Sequence, residues 1–216
     1  MQEKNQKKNK RKGCLLIYGI LLIFVSIGIL VNKYYQRNEI QNIEENNLIE
    51  FYEIQEEIST NQEEIVEQEK SEEQVKEVEK VEREPYLAVL KIDKIKLEKG
   101  IYNLNSKNNN VNKNIQLLKE SDMPDKENGN VIIAGHSGNS YIAYFKNLFK
   151  LNNGDEAKIF YNGKTYIYNL TNSYEVEKTG KVALSKNKNK QTLTLITCKT
   201  NTNKQVVFVF ELKNII

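Results

Sequence analysis

The sequence predicts a mostly β domain, a closed antiparallel barrel with two short helices, set behind an N-terminal transmembrane helix and a polar stalk. Three observations predict it. Residues 13–31 form an apolar run without a single charge, residues 38–84 are rich in Glu, Gln and Asn without Gly or Pro, and six short β-prone runs follow Pro85.

The first element is a basic tail, residues 1–12, with Lys4, Lys7, Lys8, Lys10, Arg11 and Lys12 opposed only by Glu3. The apolar run after it has nineteen residues, which make a helix of roughly 28 Å, enough to cross a bilayer core. The positive excess before the run places the N-terminus in the cytoplasm and everything after residue 31 outside the cell. A cleaved signal peptide would need small residues just past the apolar core. The chain instead reads Val31-Asn32-Lys33-Tyr34-Tyr35, and the two tyrosines suit a membrane interface. The expectation is therefore a single-pass, uncleaved anchor at 13–31.

Residues 32–84 read as a Glu-rich stalk. Between 44 and 84 there are sixteen Glu against four Lys or Arg, and the aliphatics (Ile54, Ile58, Ile65, Val75, Val78) make a stripe too thin for a core. Such a segment is disordered or transiently helical, extended by its own repulsion. From residue 85 onward the balance reverses, with twenty Lys against eleven Asp and Glu. A basic surface suits anionic wall polymers or lipid headgroups, but a general bias toward Lys and Asn is the better account of it. Nucleic acid is not expected as a partner of a domain outside the cell.

In the domain at 85–216, YLAVLKI (86–92) and NVIIAGH (130–136) read as strands. EAKIFY (156–161) and KTYIYNLTNSYEV (164–176) alternate on either side of Asn162-Gly163, a strong hairpin signal. TLTLITC (192–198) and QVVFVFEL (205–212) complete the set. Helical spacing is expected in 111–119 and in 141–150, where Tyr141, Phe145, Leu148 and Phe149 can share a face. Short strands of even length separated by turns favour a barrel.

The chain has two cysteines and one histidine. Cys14 opens the membrane segment, so it cannot pair with Cys198, and an exported domain normally uses cysteines in pairs. An unpaired Cys198 in the same domain as His136 points to a reactive thiol with an imidazole partner. Both fall at strand ends, where a rigid sheet presents side chains to a cleft. A small buried Cys and a satisfied loop His fit the spacing equally well.

The motifs decide between these readings. Thr194-Leu195-Ile196-Thr197-Cys198 resembles the TLxTC signature of sortases, and the strand at 130–136, ending Ala134-Gly135-His136, is similar to the one carrying the sortase histidine. Their order and separation, and the Leu148…Asn153-Gly154-Asp155 stretch between them, also fit. The resemblance implies an eight-stranded sortase-type barrel. It also implies a cysteine transpeptidase that cuts secreted proteins at an LPxTG-like sorting signal, holds the Thr as a Cys198 thioester, and transfers it to an amine of a cell-wall precursor. His136 would carry the protons. No cofactor is implied and no metal is expected, since Asp155 and Glu156 alone do not make a calcium site. A Gram-positive cell, with the catalytic domain on its outer face, is the implied setting.

One departure stands out. The family carries an Arg on the strand after the Cys, and this chain has no Arg after Arg83. The register that aligns Val207-Phe208-Val209 with that strand puts Gln205 in the Arg position; a slip of one residue puts Lys204 there and turns it to the other face. Neither reproduces the Arg fork. Rival readings are a cysteine peptidase that only hydrolyses, and a non-catalytic barrel that binds sorting signals or wall polymers. An L,D-transpeptidase is disfavoured because its His-Gly…Cys…Arg arrangement is absent. With the chain ending soon after its last expected strand and no Asp-Pro lid motif, a class A or class D type is expected.

Overall fold

Eight strands form one sheet, and the hydrophobic alternation of each strand fixes which face it turns inward. A computed structural model describes residues 2–63, 84–180, 182 and 184–216, with side chains in the first helix described from residue 18 to residue 60. The strands are β1 (Ala88–Ile92), β2 (Leu97–Ile101), β3 (Gln116–Leu117), β4 (Asn130–Ala134), β5 (Glu156–Tyr161), β6 (Lys164–Glu177), β7 (Thr192–Cys198) and β8 (Lys204–Ile215). Their order is β2-β1-β5-β6-β8-β7-β4-β3, a sheet that nearly closes on itself. At the seam between the end strands, Asn114 Nδ2 donates to the β2 carbonyl of Gly100 at 2.6 Å. Inside lies the main core, which includes Leu90, Ile101, Ile133, Phe145, Ile159, Tyr168, Leu195 and Phe210.

The six strands expected from the sequence are present, with β5 and β7 at the expected residues. Asn162 and Gly163 both take positive φ, 54° and 72°, the geometry of a two-residue primed hairpin turn joining β5 to β6. Two further short strands, β2 and β3, carry too little apolar alternation to be expected from their residues. The barrel also departs from all-antiparallel pairing, because β4 and β7 run parallel.

The two expected helices take other forms. In 111–119 the chain makes turns and then pairs Gln116 and Leu117 with Ala134 and Ile133 of β4. Neighbouring Asn side chains hydrogen-bond backbone groups that a helix would have used. In 141–150 Phe145 and Leu148 are buried, but Tyr141 and Phe149 are 57% and 74% exposed. With only half of the expected face covered, that segment folds as turns ending in a 3-10 turn, Leu148–Lys150. A second 3-10 turn, Asp93–Ile95, links β1 to β2.

The N-terminal helix, α1, runs Gln2–Glu63. Among the described residues it is the one helix long and apolar enough to cross a membrane, and its side chains Tyr18, Phe24 and Leu30 are exposed. The chain divides into two compact units, residues 1–46 and 47–216, so the end of α1 belongs with the barrel. There Phe51 is buried, Tyr52 Oη donates to Glu98 at 2.6 Å and sets its ring edge-on to Phe160, and Gln55 accepts the Gly163 amide at 2.5 Å. Burial, with the Glu98 carboxylate beside it, pushes the Tyr52 hydroxyl well above its ordinary range. The part of the stalk up to residue 63 is thus ordered helix: its thin apolar stripe cannot make a core but can seat on an existing one. The remainder, residues 64–83, lies outside the described residues.

Asn130 joins β4 to β7. It is 3% exposed, and its Oδ1 accepts the hydroxyls of Thr192 at 2.8 Å and Thr194 at 2.9 Å. Asn130→Ala orphans the buried Thr194 hydroxyl and leaves that of Thr192 only the Gly129 carbonyl at 3.4 Å, and is expected to cost about 1–3 kcal/mol, read as a fall in the denaturant midpoint. The Asn130 amide in turn donates to Asp122, whose other oxygen accepts Lys126 Nζ at 2.5 Å. Lys126, more than the Asn130 amide, holds the Asp122 carboxyl below its usual range. A depressed folded-state pKa adds stability that is present above the ordinary carboxylate value of about 4 and is lost as pH falls through the folded value. Asp122→Asn is expected to flatten that acid-side loss in a series of thermal melts.

Candidate active site

The parallel ladder between β4 and β7 sets the site. Its partners run from Asn130↔Thr192 to Ala134↔Ile196, always 62 residues apart. Two contacts carry the register past the end of β4: Gly135 N donates to Ile196 O at 3.1 Å, and Thr197 Oγ1 donates to Gly135 O at 2.8 Å. The next step along the same register brings His136 level with Cys198. Ser137 Oγ then donates to the Cys198 carbonyl, closing the top of the ladder.

Alternation gives the face. Ile132 on β4, Ile196 on β7, and Val207 and Val209 on β8 form a second apolar cluster, separate from the barrel interior, with Tyr174, Val176 and Val182 packed against it. Cys198 has the parity of Ile196 and so faces outward, and His136, two residues past the end of β4, continues the count of Ile132. Both are half-buried, and Cys198 is a free thiol. The segment after β6 lies over the same face: Val182 joins the cluster, and the Ser185 amide donates to Tyr174 Oη at 2.7 Å. The result is an apolar surface with a thiol and an imidazole at one end.

The structure separates the two candidates for the Arg position. Gln205 is the direct cross-strand partner of Cys198, and directly opposed residues share a face. Lys204 has the parity of Phe208 and Phe210, which point into the barrel. Its ammonium lies 3.4 Å from Glu175, which also binds Lys199. The Lys199 hydrogen bond, before that of Lys204, draws the Glu175 carboxyl below its ordinary range. Gln205 therefore stands beside the thiol, and Lys204 is turned away from it.

Three further residues of the site are not singled out by sequence reasoning. Asn112 Oδ1 lies 3.2 Å from His136 Nε2; Ser137 and Thr197 pin the strand ends. Asn112 sits in a run of asparagines that resembles compositional bias, and Thr197 has a signal only as part of a motif. Gly135 has a packing reason: a Cβ there would come within 2.7 Å of the Phe145 ring, which fills the core beneath. Phe145 N meanwhile donates to the His136 carbonyl at 3.0 Å, so the ring and the histidine backbone are fixed together.

Asp155 is engaged elsewhere. It accepts the Asn152 amide and Lys94 Nζ, both at 2.6 Å, and these two hold its carboxyl below the usual range. Glu156 pairs with Lys213 at 2.7 Å. Among the described residues, no three His, Cys, Asp or Glu side chains gather at a metal-binding distance.

The model of the sortase domain matches residues 90–213, more than half of the chain. The chain belongs to the sortase family. Sortases are cysteine transpeptidases, acting on proteins that carry a sorting signal and on amine nucleophiles. The sortase fold recurs in solved structures. A sortase D5 transpeptidase from Clostridium perfringens is 24% identical, with 80% of this chain covering 99% of that one at a TM-score of 0.57. A lid mutant of sortase A from Corynebacterium diphtheriae is 23% identical, covering 62% of this chain and 73% of that one, TM-score 0.54. Sortase C1 from Streptococcus agalactiae is also 23% identical, covering 60% and 68%, TM-score 0.53. At these identities the likeness is one of fold. The comparison with curated proteins gives no match.

Proposed function

We propose that this sortase is a membrane-anchored transpeptidase in which Cys198 and His136 cut an LPxTG-like sorting signal after its Thr and join the Thr to an amine of a cell-wall precursor. The observation that supports the reading best is the parallel β4–β7 register, whose constant offset, carried two residues past Ala134, matches position 136 to position 198 beside the outer apolar cluster. The Cys198 thiolate adds to the Thr carbonyl carbon, the peptide C–N bond breaks, and the His136 imidazolium gives its proton to the departing amine. The incoming amine then attacks the thioester and loses its proton to the imidazole, and the sulfur leaves as thiolate. The anchor at 13–31, with its basic tail inside, holds this chemistry outside a Gram-positive cell, where secreted substrates emerge.

The test uses the detergent-solubilised full chain with an LPxTG-type peptide library and an amine-terminated acceptor. An acyl adduct on Cys198, located by mass spectrometry, and products joined after one position are expected. If no peptide leaves an adduct, the barrel is a binding module; an adduct resolved only by water makes it a hydrolytic peptidase.

Gln205 favours slow catalysis. Its amide donates one neutral hydrogen bond toward a developing oxyanion, where the family uses a charged fork. Loss of such a donor costs about 10²–10³ in rate. Gln205→Arg is expected to recover a part of this, about tenfold or more in kcat. A single-turnover assay that found no gain would mark the site as complete with Gln.

A further inference from the structure

The asparagine run at 108–114 is built rather than incidental. Asn109 is buried and clasps Leu117 at both ends, Nδ2 donating to Leu117 O at 2.9 Å and Oδ1 accepting Leu117 N at 2.7 Å. Asn114, also buried, reaches across the seam to Gly100. Between them Asn110 Oδ1 accepts the Asn112 amide at 2.9 Å, and its carbonyl accepts the amides of Lys113 and Asn114, both at 2.9 Å. Tyr144 Oη donates to the Lys113 carbonyl at 3.5 Å, tying the loop to the segment whose next residue, Phe145, holds the His136 carbonyl. These contacts brace the loop that carries Asn112, which is exposed, with Oδ1 at 3.2 Å from His136 Nε2.

An amide oxygen only accepts, so this contact is a hydrogen bond only when Nε2 carries a proton. We propose that Asn112 is a positioning residue that holds neutral His136 as its Nε2–H tautomer and leaves Nδ1 as the nitrogen that exchanges protons at the sulfur and the departing amine. The other ring nitrogen of a working histidine sets which tautomer is present. Here an exposed amide does this task on a loop braced at both ends. The proposal rests on His136 being the proton carrier.

The chain has one histidine, so selective ¹⁵N labelling of the full chain in detergent gives a single imidazole to observe. The neutral form is expected to show a protonated Nε2 and a bare Nδ1. Asn112→Ala is expected to mix the tautomers and lower kcat by roughly 2- to 10-fold with KM unchanged. Asn112→Asp keeps the acceptor and adds a negative charge that favours the imidazolium. Its imidazole titration and the matching limb of the rate profile are expected to move together to higher pH, an effect that a loop-bracing role alone would not produce. A wild-type proton on Nδ1 would overturn the proposal, as would an Ala variant with unchanged tautomer and kcat. These failures differ from failure of the parent reading: there His136→Ala would stay active, whatever the Asn112 variants do.

Discussion

Cys198→Ala is expected to reduce transpeptidation to background, a loss on the order of 10⁶-fold, the scale seen when a covalent nucleophile is removed. The sulfur has no substitute within the geometry described. Its strand neighbours are a threonine hydroxyl given to the Gly135 carbonyl and a lysine paired with Glu175, and its cross-strand partner is an amide. Stability is expected to change by less than about 1 kcal/mol, because the side chain is only half-buried at the end of its strand. A melt that matches wild type beside a silent acyl-transfer assay is the expected pair of results. Residual turnover in the Ala variant would place the chemistry elsewhere.

His136→Ala is expected to lower kcat by about 10²–10⁴, the range for a group that moves protons in the transition state. The imidazole serves both halves of the reaction, so single-turnover acylation and aminolysis should slow together while peptide affinity holds. Added imidazole should restore part of the rate, since the apolar surface and the thiol remain in place. If only one half-reaction slowed, the two proton transfers would belong to different groups.

Much of this fold is legible in the amino-acid sequence. Asn162-Gly163 has one comfortable geometry, a tight hairpin, and the flanking alternation suits two paired strands. The apolar run Val131-Ile132-Ile133-Ala134 announces a strand covered on both faces, and both faces are covered, by the barrel core and by the outer cluster. What stays hidden is tertiary. A pattern at 141–150 with the right spacing for a helix buries Phe145 and Leu148 of its expected face and leaves Tyr141 and Phe149 exposed. The pairing of Gln116 and Leu117 depends on β4, a partner thirteen or more residues away that no local window contains. Within the site, His136 and Cys198 stand out as rare residue types in motifs, and Gln205 as a gap in one. Asn112 does not, because one asparagine among many carries no signal until its neighbours are seen to hold it.

The constant offset between β4 and β7 also determines which changes of length this chain can absorb. Adding or deleting one residue within 130–136 or 192–198 would throw the imidazole out of phase with the thiol and turn one of them toward the barrel interior. The exposed turns at 139–141 and 184–190 lie outside that count and can lengthen or shorten without disturbing it. Those stretches are therefore the natural places to graft new recognition, by descent or by design, while the paired strands serve as the fixed frame on which variants with different peptide preferences are built.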